Sequence, residues 1–267
     1  MTSKPFFASL WEAICCTEIS QKLKLISELE IENLEDMESP VECLREPSYA
    51  AFCTIVQGSQ VPKRKHLDSQ KGRIALLHAL AHIEYSAIDI ALDHAYRFRH
   101  MPLAYYRDWV LTAKEEARHF ILLQELLGEL DSYYGALPVH SGLFMAAYRS
   151  QDSLAKRMAA LPRYMEANGL DATPQIIAKL EPYQDKFSLK IIQALQIILE
   201  DEIIHVQRGD LWFRYALTRE GHLLSDYQKL VSQAVPGAKL ARKDFNREAR
   251  LKAGFSIEEL QMLASNQ

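Results

Sequence analysis

Two short motifs in this sequence place a histidine three residues after a glutamate. Glu116 and His119 form the first pair, and Glu202 and His205 form the second. Residues three apart on an α-helix share a face, so each pair can bind one metal ion through a carboxylate oxygen and an imidazole nitrogen. A single pair is weak evidence, because both residue types are common on solvated surfaces. Its meaning depends on whether the helix face that carries it points into a core.

A third glutamate lies on the apolar face of a long helix predicted over residues 69–98. The apolar residues of this helix recur in alternating steps of three and four, which is typical of a bundle helix. They are Ile74, Leu77, Ala81, Ile88, Ala91 and Ala95. Glu84 occupies the middle of the same stripe. A carboxylate at a core position is costly unless something binds it.

The two Glu-x-x-His motifs also lie on apolar stripes of predicted helices. The helix over residues 103–130 has the stripe Trp109, Ala113, Glu116, Phe120, Leu123 and Leu127. The helix over residues 184–217 has the stripe Ile191, Leu195, Ile198, Glu202, His205, Gly209 and Trp212. Both motifs are therefore expected to face the core rather than solvent.

A shorter helix is predicted over residues 151–168, and it supplies a fourth acid, Glu166. Pro162 should kink this helix or start a new turn, and Gly169 should terminate it. Four helices then carry Glu, Glu-x-x-His, Glu and Glu-x-x-His in chain order. We predict two metal ions bound by six residues: Glu84, Glu116, His119, Glu166, Glu202 and His205. Four carboxylates would neutralise two divalent cations, and ligands without cysteine favour iron or manganese, although zinc would also bind.

The order of the helices predicts an all-α, ferritin-like four-helix bundle. About twenty residues, 131–150, connect the second and third long helices, and ferritin-like bundles have one long connection at this place. We predict a single ferritin-like domain over residues 1–267. It comprises a helical and irregular extension (1–68), the dimetal bundle (69–217) and a C-terminal extension (218–267). Residues 7–33 form one amphipathic helix or two short ones, and Ser256 caps a final helix over residues 256–264.

The other histidines and one arginine allow several interpretations. His78 and His82 are one turn apart. Either they lie next to the metal ligands or the substrate, or they lie on the surface. His140 can approach the site if the connection caps the bundle, although a packing role in a loop is the simpler interpretation. His94 and His100 are expected to be solvated or to cap helices. Arg118 either pairs with a buried acid such as Asp89 or is solvated.

Composition limits the partners and the compartment. The 267 residues include 31 basic and 35 acidic side chains, a net charge of −4, so charge does not support binding to nucleic acid. A basic segment (Lys239, Arg242, Lys243, Arg247, Arg250 and Lys252) is more simply a solvated face. No apolar run is long enough to span a bilayer, and no signal peptide is evident. We predict a cytoplasmic protein, a monomer or dimer, with reduced cysteines.

At these motifs the chain resembles a known family. The stretches LLHALAHIEYSAIDIALDHAYRF, KEEARHF, LPVHSGLF, MEANGLDATP and LEDEIIHVQRGDLWF look like an uncharacterised bacterial ferritin-like domain family, a domain of unknown function. At greater distance the chain is similar to the di-iron tRNA hydroxylase that acts on a prenylated adenosine. The resemblance implies a dimetal site at the residues named above but gives no substrate. Asn168 stands where the family pattern leads us to expect arginine, which removes a candidate anchoring charge beside Glu166.

Three functions are compatible with these features. The first is an oxygen-activating oxidoreductase of the hydroxylase type, with an electron donor and an unknown small molecule or modified nucleoside as substrate. The second is an iron-handling protein, either a ferroxidase or a store, although large additions at both ends would hinder assembly of a cage. The third is a metal site that only stiffens a binding module.

Overall fold

The computed structural model describes residues 4–31, 34, 36–241 and 244–265, and these residues form an all-α protein. Within these ranges there is no β-strand, and the only β pairing is an isolated bridge between Ile55 and Val139. The chain divides into two compact units, residues 1–144 and 145–267. The prediction of a single ferritin-like domain concerns how these units combine, and it stays a prediction.

The first unit is organised around a hairpin of two long helices. Helix α3 (Gln70–Arg97) and helix α4 (Leu103–Gly128) pack along each other, and two short helices, α1 (Phe6–Cys15) and α2 (Ile19–Ser27), pack against them. The hydroxyl of Ser69 caps α3 by accepting a hydrogen bond from the Gly72 N–H. The N-terminal segment therefore forms two short helices. Residues 32 and 33, at the end of the predicted helical range, lie outside the described residues.

The apolar stripe predicted on α3 is buried except at Ile74, near the start of the helix, which is partly exposed. Leu77, Ala81, Ile88 and Ala95 have no solvent exposure, and the carboxylate-bearing Glu84 is only 4% exposed. The spacing of three and four residues predicted this face correctly because it follows the 3.6-residue turn of the helix. The core of the first unit therefore surrounds an acidic side chain.

An ion pair between a buried lysine and a partly exposed aspartate ties α2 to α3. Lys22 has no solvent exposure, and its ammonium group binds the carboxylate of Asp89, the hydroxyl of Ser48 and the carbonyl oxygen of Ile14. The Ser48 hydroxyl donates a second hydrogen bond of 2.6 Å to Asp89. Asp89 thus has a lysine partner. Arg118 is exposed.

The long connection is more ordered than the sequence indicates. Its first part, residues 131–141, is irregular, but its second part forms helix α5 (Gly142–Arg149), which we did not predict. Val139 exchanges backbone hydrogen bonds with Thr54 and Val56, at 2.9 and 2.8 Å. The connection is therefore held to the segment that precedes α3.

The second unit contains the other two helices that carry predicted ligands. Helix α6 (Leu154–Ala160) continues through a π-helical segment, Leu161–Glu166, into helix α7 (Ala167–Leu180). These elements pack against helix α8 (Lys186–Glu220), which Asp185 caps. The prediction that Gly169 terminates the third helix is wrong. Gly169 lies inside α7, and a Cβ at this position would have no other atom within 4 Å.

Three short helices complete the second unit: α9 (Tyr227–Ala234), α10 (Arg247–Lys252) and α11 (Ile257–Ser265). Apolar side chains from α10, α11 and the turn between them share a cluster with α7 and α8, formed by Ala167, Leu170, Val206, Ala249, Ala253, Phe255 and Leu260. The predicted cap of the last helix is confirmed, because Ser256 and Glu259 exchange hydrogen bonds. Within the basic segment, residues 242 and 243 lie outside the described residues.

One described helix, α3, is long and apolar enough to cross a membrane by length and composition. Most of its apolar stretch is buried inside the structure, and the core helix of a soluble protein passes the same test. All four cysteines are free thiols, as predicted.

Candidate metal centre

Helices α3 and α4 bring Glu84, Glu116 and His119 together in the core of the first unit. Nδ1 of His119 lies 3.2 Å from Oε2 of Glu84 and 3.3 Å from Oε2 of Glu116. Glu116 and His119 are at most 1% exposed. The ligand atoms of the three residues all lie within 4.8 Å of one another. They form a buried cluster of glutamate and histidine that can hold a metal ion.

The electrostatics of this cluster favour a positive charge at its centre. Burial opposes the charged form of His119, but hydrogen bonds to Glu116 and Glu84 outweigh burial and raise the pKa of His119 to about 11. Two carboxylates in one dry site repel each other unless a cation lies between them. A proton shared with imidazole meets that need in part. A divalent cation would meet it more fully, because its charge is larger.

Three buried aromatic side chains pack together beside the cluster in sequence. Phe120 follows His119 on α4, and its ring centroid lies 5.2 Å from that of Tyr85 and 5.3 Å from that of Tyr134. All three rings are at most 3% exposed. They form a buried apolar cluster, and a low dielectric strengthens charge interactions in such surroundings.

Helix α8 carries the second Glu-x-x-His pair, with both side chains turned inward. His205 has no exposure and Glu202 is 9% exposed, and Nδ1 of His205 lies 3.9 Å from Oε1 of Glu202. This distance is too long for a hydrogen bond. The two groups nevertheless share one face of α8, as their spacing predicted. Their role as metal ligands stays a prediction.

Glu166 occupies the last position of the π-helical segment Leu161–Glu166 and is half-buried. Single-turn π-helices within α-helices are rare and are frequent at functional sites. Here the extra residue lies next to Pro162, whose ring would clash with a regular α-helical turn. The sequence located the irregularity correctly but gave no sign of its type.

His78 and His82 hold the long connection against α3. Nε2 of His78 accepts hydrogen bonds from the N–H groups of Gly135 and Leu137, at 3.0 and 3.2 Å. Nε2 of His82 lies 2.8 Å from the carbonyl oxygen of His140, which can only accept, so this nitrogen carries the proton. Burial lowers the pKa of both histidines to about 4, which keeps them neutral at pH 7. Their place beside the metal ligands stays a prediction.

The remaining histidines differ in their surroundings. The side chain of His140 is exposed, and its Nδ1 accepts a hydrogen bond from the Gly142 N–H at the start of α5. His100 is exposed, as expected. The prediction that His94 is solvated or caps a helix is wrong, because it has no exposure and its ring lies 4.3 Å from that of Trp109.

Sequence reasoning missed a buried ionic network in the second unit. Arg163, in the π-helical segment, is 1% exposed and binds Asp210 on α8 and Glu259 on α11. The sequence contained one indication of this network. Arg163 lies among the apolar residues of a core-facing helix, where a buried arginine requires acidic partners. The partners could not be identified, because they lie 47 and 96 residues away in sequence.

Comparison with known proteins identifies the family. The model of a family described as "Protein of unknown function (DUF455)" matches residues 13–261. A protein of Haemophilus influenzae, described as "Uncharacterized protein", is 35% identical over 254 residues, which cover 88% of this chain and 83% of that protein. No solved structure matches the chain. The chain belongs to this family of proteins of unknown function, as its match over residues 13–261 shows.

Proposed function

We propose that this protein is a ferritin-like dimetal carboxylate protein that activates oxygen to oxidise an organic substrate. In this proposal Glu84, Glu116 and His119 of the first unit and Glu166, Glu202 and His205 of the second unit hold two metal ions. The observation that carries it is the buried cluster of Glu84, Glu116 and His119, whose ligand atoms lie within 4.8 Å of one another. The same motif on α8, also with buried side chains, supports a second half of the site.

Charge balance supports two divalent ions rather than one. The four carboxylates bring four negative charges to positions that are buried or half-buried. An unpaired buried carboxylate costs several kcal/mol of effective desolvation, so roughly the full charge should be neutralised. Two divalent cations neutralise it, and the imidazoles of His119 and His205 add neutral nitrogen ligands. This balance requires the ligands of both units to bind the same pair of metal ions.

The donor set fits iron first. Carboxylate and imidazole ligands without thiolate suit iron and manganese, and zinc would also bind. A pair of ferrous ions supplies the electrons that reduce dioxygen, which neither zinc nor the side chains can supply. The residues of this chain fix the ligand positions and exclude water. Phe120, Tyr85 and Tyr134 form the buried aromatic cluster described above, in which Phe120 follows His119 along α4.

The proposed oxidation requires an organic substrate. An unknown small molecule or a modified nucleoside is the candidate, together with an external electron donor. The long connection and the segment before α3 lie close together, and they provide chain from which a pocket beside α3 can be built. Net charge gives no support to recognition of a whole nucleic acid.

Iron handling is the second candidate function, because the same ligands would also hold ferrous iron while dioxygen oxidises it. The two candidates differ in assembly. A store requires a large cage, whereas an oxygenase functions as a monomer or dimer. A metal site that only stiffens a binding module is a third candidate, and it requires no redox change.

The experiment is to load metal-free protein with ferrous iron without oxygen and then admit air. We expect two iron ions per chain and a new near-ultraviolet absorption band on oxidation. A chain that binds iron without any spectral change would contradict both redox functions and leave the structural one. Size-exclusion chromatography then distinguishes the oxygenase from the iron store. A cage-sized assembly would contradict the oxygenase, and a monomer or dimer would contradict the store.

A further inference from the structure

The segment that carries Glu166 is held in place from three directions. Nε of Arg163 donates a hydrogen bond of 2.6 Å to Oδ1 of Asp210 on α8, and its Nη2 donates one of 2.6 Å to Oε1 of Glu259 on α11. The hydroxyl of Tyr227 on α9 donates to the backbone carbonyl oxygen of Arg163 at 3.2 Å. Arg163 is therefore fixed through its side chain and its backbone together.

Aromatic rings enclose the guanidinium group of Arg163. Its central carbon lies 4.9 Å from the ring centroid of Phe213, 5.0 Å from that of Tyr227 and 4.4 Å from that of Phe255. Cation–π contacts of this kind gain strength when the cation is desolvated. The guanidinium thus has little freedom to move without breaking several contacts at once.

Glu259 is the member of this network that comes from the end of the chain. Besides Arg163, its carboxylate accepts hydrogen bonds from Arg214 at 3.0 Å and from the N–H of Ser256 at 2.8 Å. Burial opposes its ionisation, but Arg163 and the Ser256 N–H hold the pKa of Glu259 below its usual range. The carboxylate stays charged at neutral pH and keeps its partners.

Gly209 completes the arrangement on the side of α8. A Cβ at this position would lie 2.2 Å from Cβ of Pro162, so only glycine allows the π-helical segment to approach α8 this closely. Pro162 and Arg163 are adjacent, and Glu166 follows three residues later. The packing and the ionic contacts act on the same short segment.

We propose that helix α11 is a brace for the metal centre, in which Glu259 holds Arg163 and thereby positions the π-helical segment that presents Glu166. This inference rests on the proposed function, since it takes Glu166 as a metal ligand. Arg163 and Glu259 are positioning residues and do not contact the metal. The C-terminal extension then has a specific role, because the second metal would bind properly only when α11 is docked.

The test is a double-mutant cycle with Glu259→Ala and Glu166→Ala, read by titration of metal-free protein with Co²⁺. Loss of an outer partner that orients a ligand lowers metal affinity by about 10- to 100-fold, and we expect this loss for Glu259→Ala. If Glu259 acts through Glu166, the same change in the Glu166→Ala background should alter affinity by less than about twofold. The d–d absorption of bound Co²⁺, which reports coordination number, should change in the same variants.

Two further variants serve as controls. Glu258→Ala removes a neighbouring exposed carboxylate of α11 and should leave Co²⁺ affinity unchanged. Glu259→Gln keeps an acceptor for Arg163 and should restore part of the affinity. If Glu259→Ala does not fold, Glu259→Gln takes its place in the cycle.

The possible failures are distinguishable. If the wild-type protein binds no Co²⁺, the proposed function is wrong. If wild type binds two ions and Glu259→Ala binds them equally well, or loses equal affinity in both backgrounds, the brace is wrong. Amide hydrogen exchange of metal-free protein gives an independent reading. Glu259→Ala should speed exchange in residues 161–167 but not in α3, and unchanged exchange there would also overturn the brace.

Discussion

Replacing Gly209 by alanine tests the close packing of the π-helical segment on α8. The added Cβ would lie 2.2 Å from Cβ and 2.6 Å from Cγ of Pro162. Ordinary carbon–carbon contacts are about 3.5–4.0 Å, so the overlap exceeds about 1 Å. Because Pro162 is a closed ring, it has no alternative rotamer that avoids the new methyl group.

Two opposing effects determine the size of the change. Overpacking a well-packed core costs about 1–3 kcal/mol, and an overlap this large against a rigid ring should lie near the upper end. Alanine gains about 0.8–1.0 kcal/mol over glycine within a helix. The net expectation for Gly209→Ala is therefore a loss of about 2 kcal/mol of unfolding free energy.

Gly169→Ala is the matched control, since this glycine also lies in a helix of the second unit but has nothing within 4 Å of its Cβ position. It should stabilise the protein by about 0.5–1 kcal/mol. Urea unfolding followed by circular dichroism at 222 nm measures both variants. A Gly209→Ala variant as stable as wild type, or stabilised like Gly169→Ala, would refute the packing described for Pro162.

Two further predictions concern the first unit. Lys22→Met should cost about 3 kcal/mol of unfolding free energy, at the lower end for a broken buried pair, because the carboxylate of Asp89 loses its counter-ion but is 14% exposed and keeps the hydrogen bond from Ser48. The exposed Lys24→Met should change it little, and equal effects would contradict the ion pair. Burial lowers the pKa of His78 to about 4 in the folded protein. As the pH falls from 6.5 towards 4, His78 is protonated in the unfolded chain but not in the folded protein, so the unfolding free energy should decrease over this range. That fall should be shallower in His78→Gln and unchanged in the half-exposed His222→Gln control, and an equal fall in all three proteins would argue against a neutral buried His78.

The sequence predicted those parts of the fold that depend on helical periodicity. The long helices α3, α4 and α8 were located to within a few residues, and the inward positions of Glu84, Glu116 and His205 followed from their stripes. Periodicity succeeds here because each helix is long enough for its apolar face to repeat several times. The burial of the glutamate and histidine side chains in the first unit could therefore be predicted from the sequence.

Features decided by contacts between distant residues could not be predicted in this way. Gly169 carries a local signal for helix termination, but packing against α8 keeps α7 helical beyond it. His94 carries a polar side chain, but Trp109 and the surrounding core bury it. The sequence does not explain the charge of Arg163 at a core position, because its partners Asp210 and Glu259 come near it only in the folded protein.

The metal content of matched glutamate variants tests the central claim most directly. After equilibrium dialysis against ferrous iron without oxygen, wild-type protein should hold two iron ions per chain. Glu116→Ala on α4 and Glu202→Ala on α8 should each hold clearly fewer than two. The exposed controls Glu125→Ala and Glu200→Ala, on the same two helices, should still hold two. Two ions retained in both ligand variants, or no iron bound by the wild type, would contradict the account.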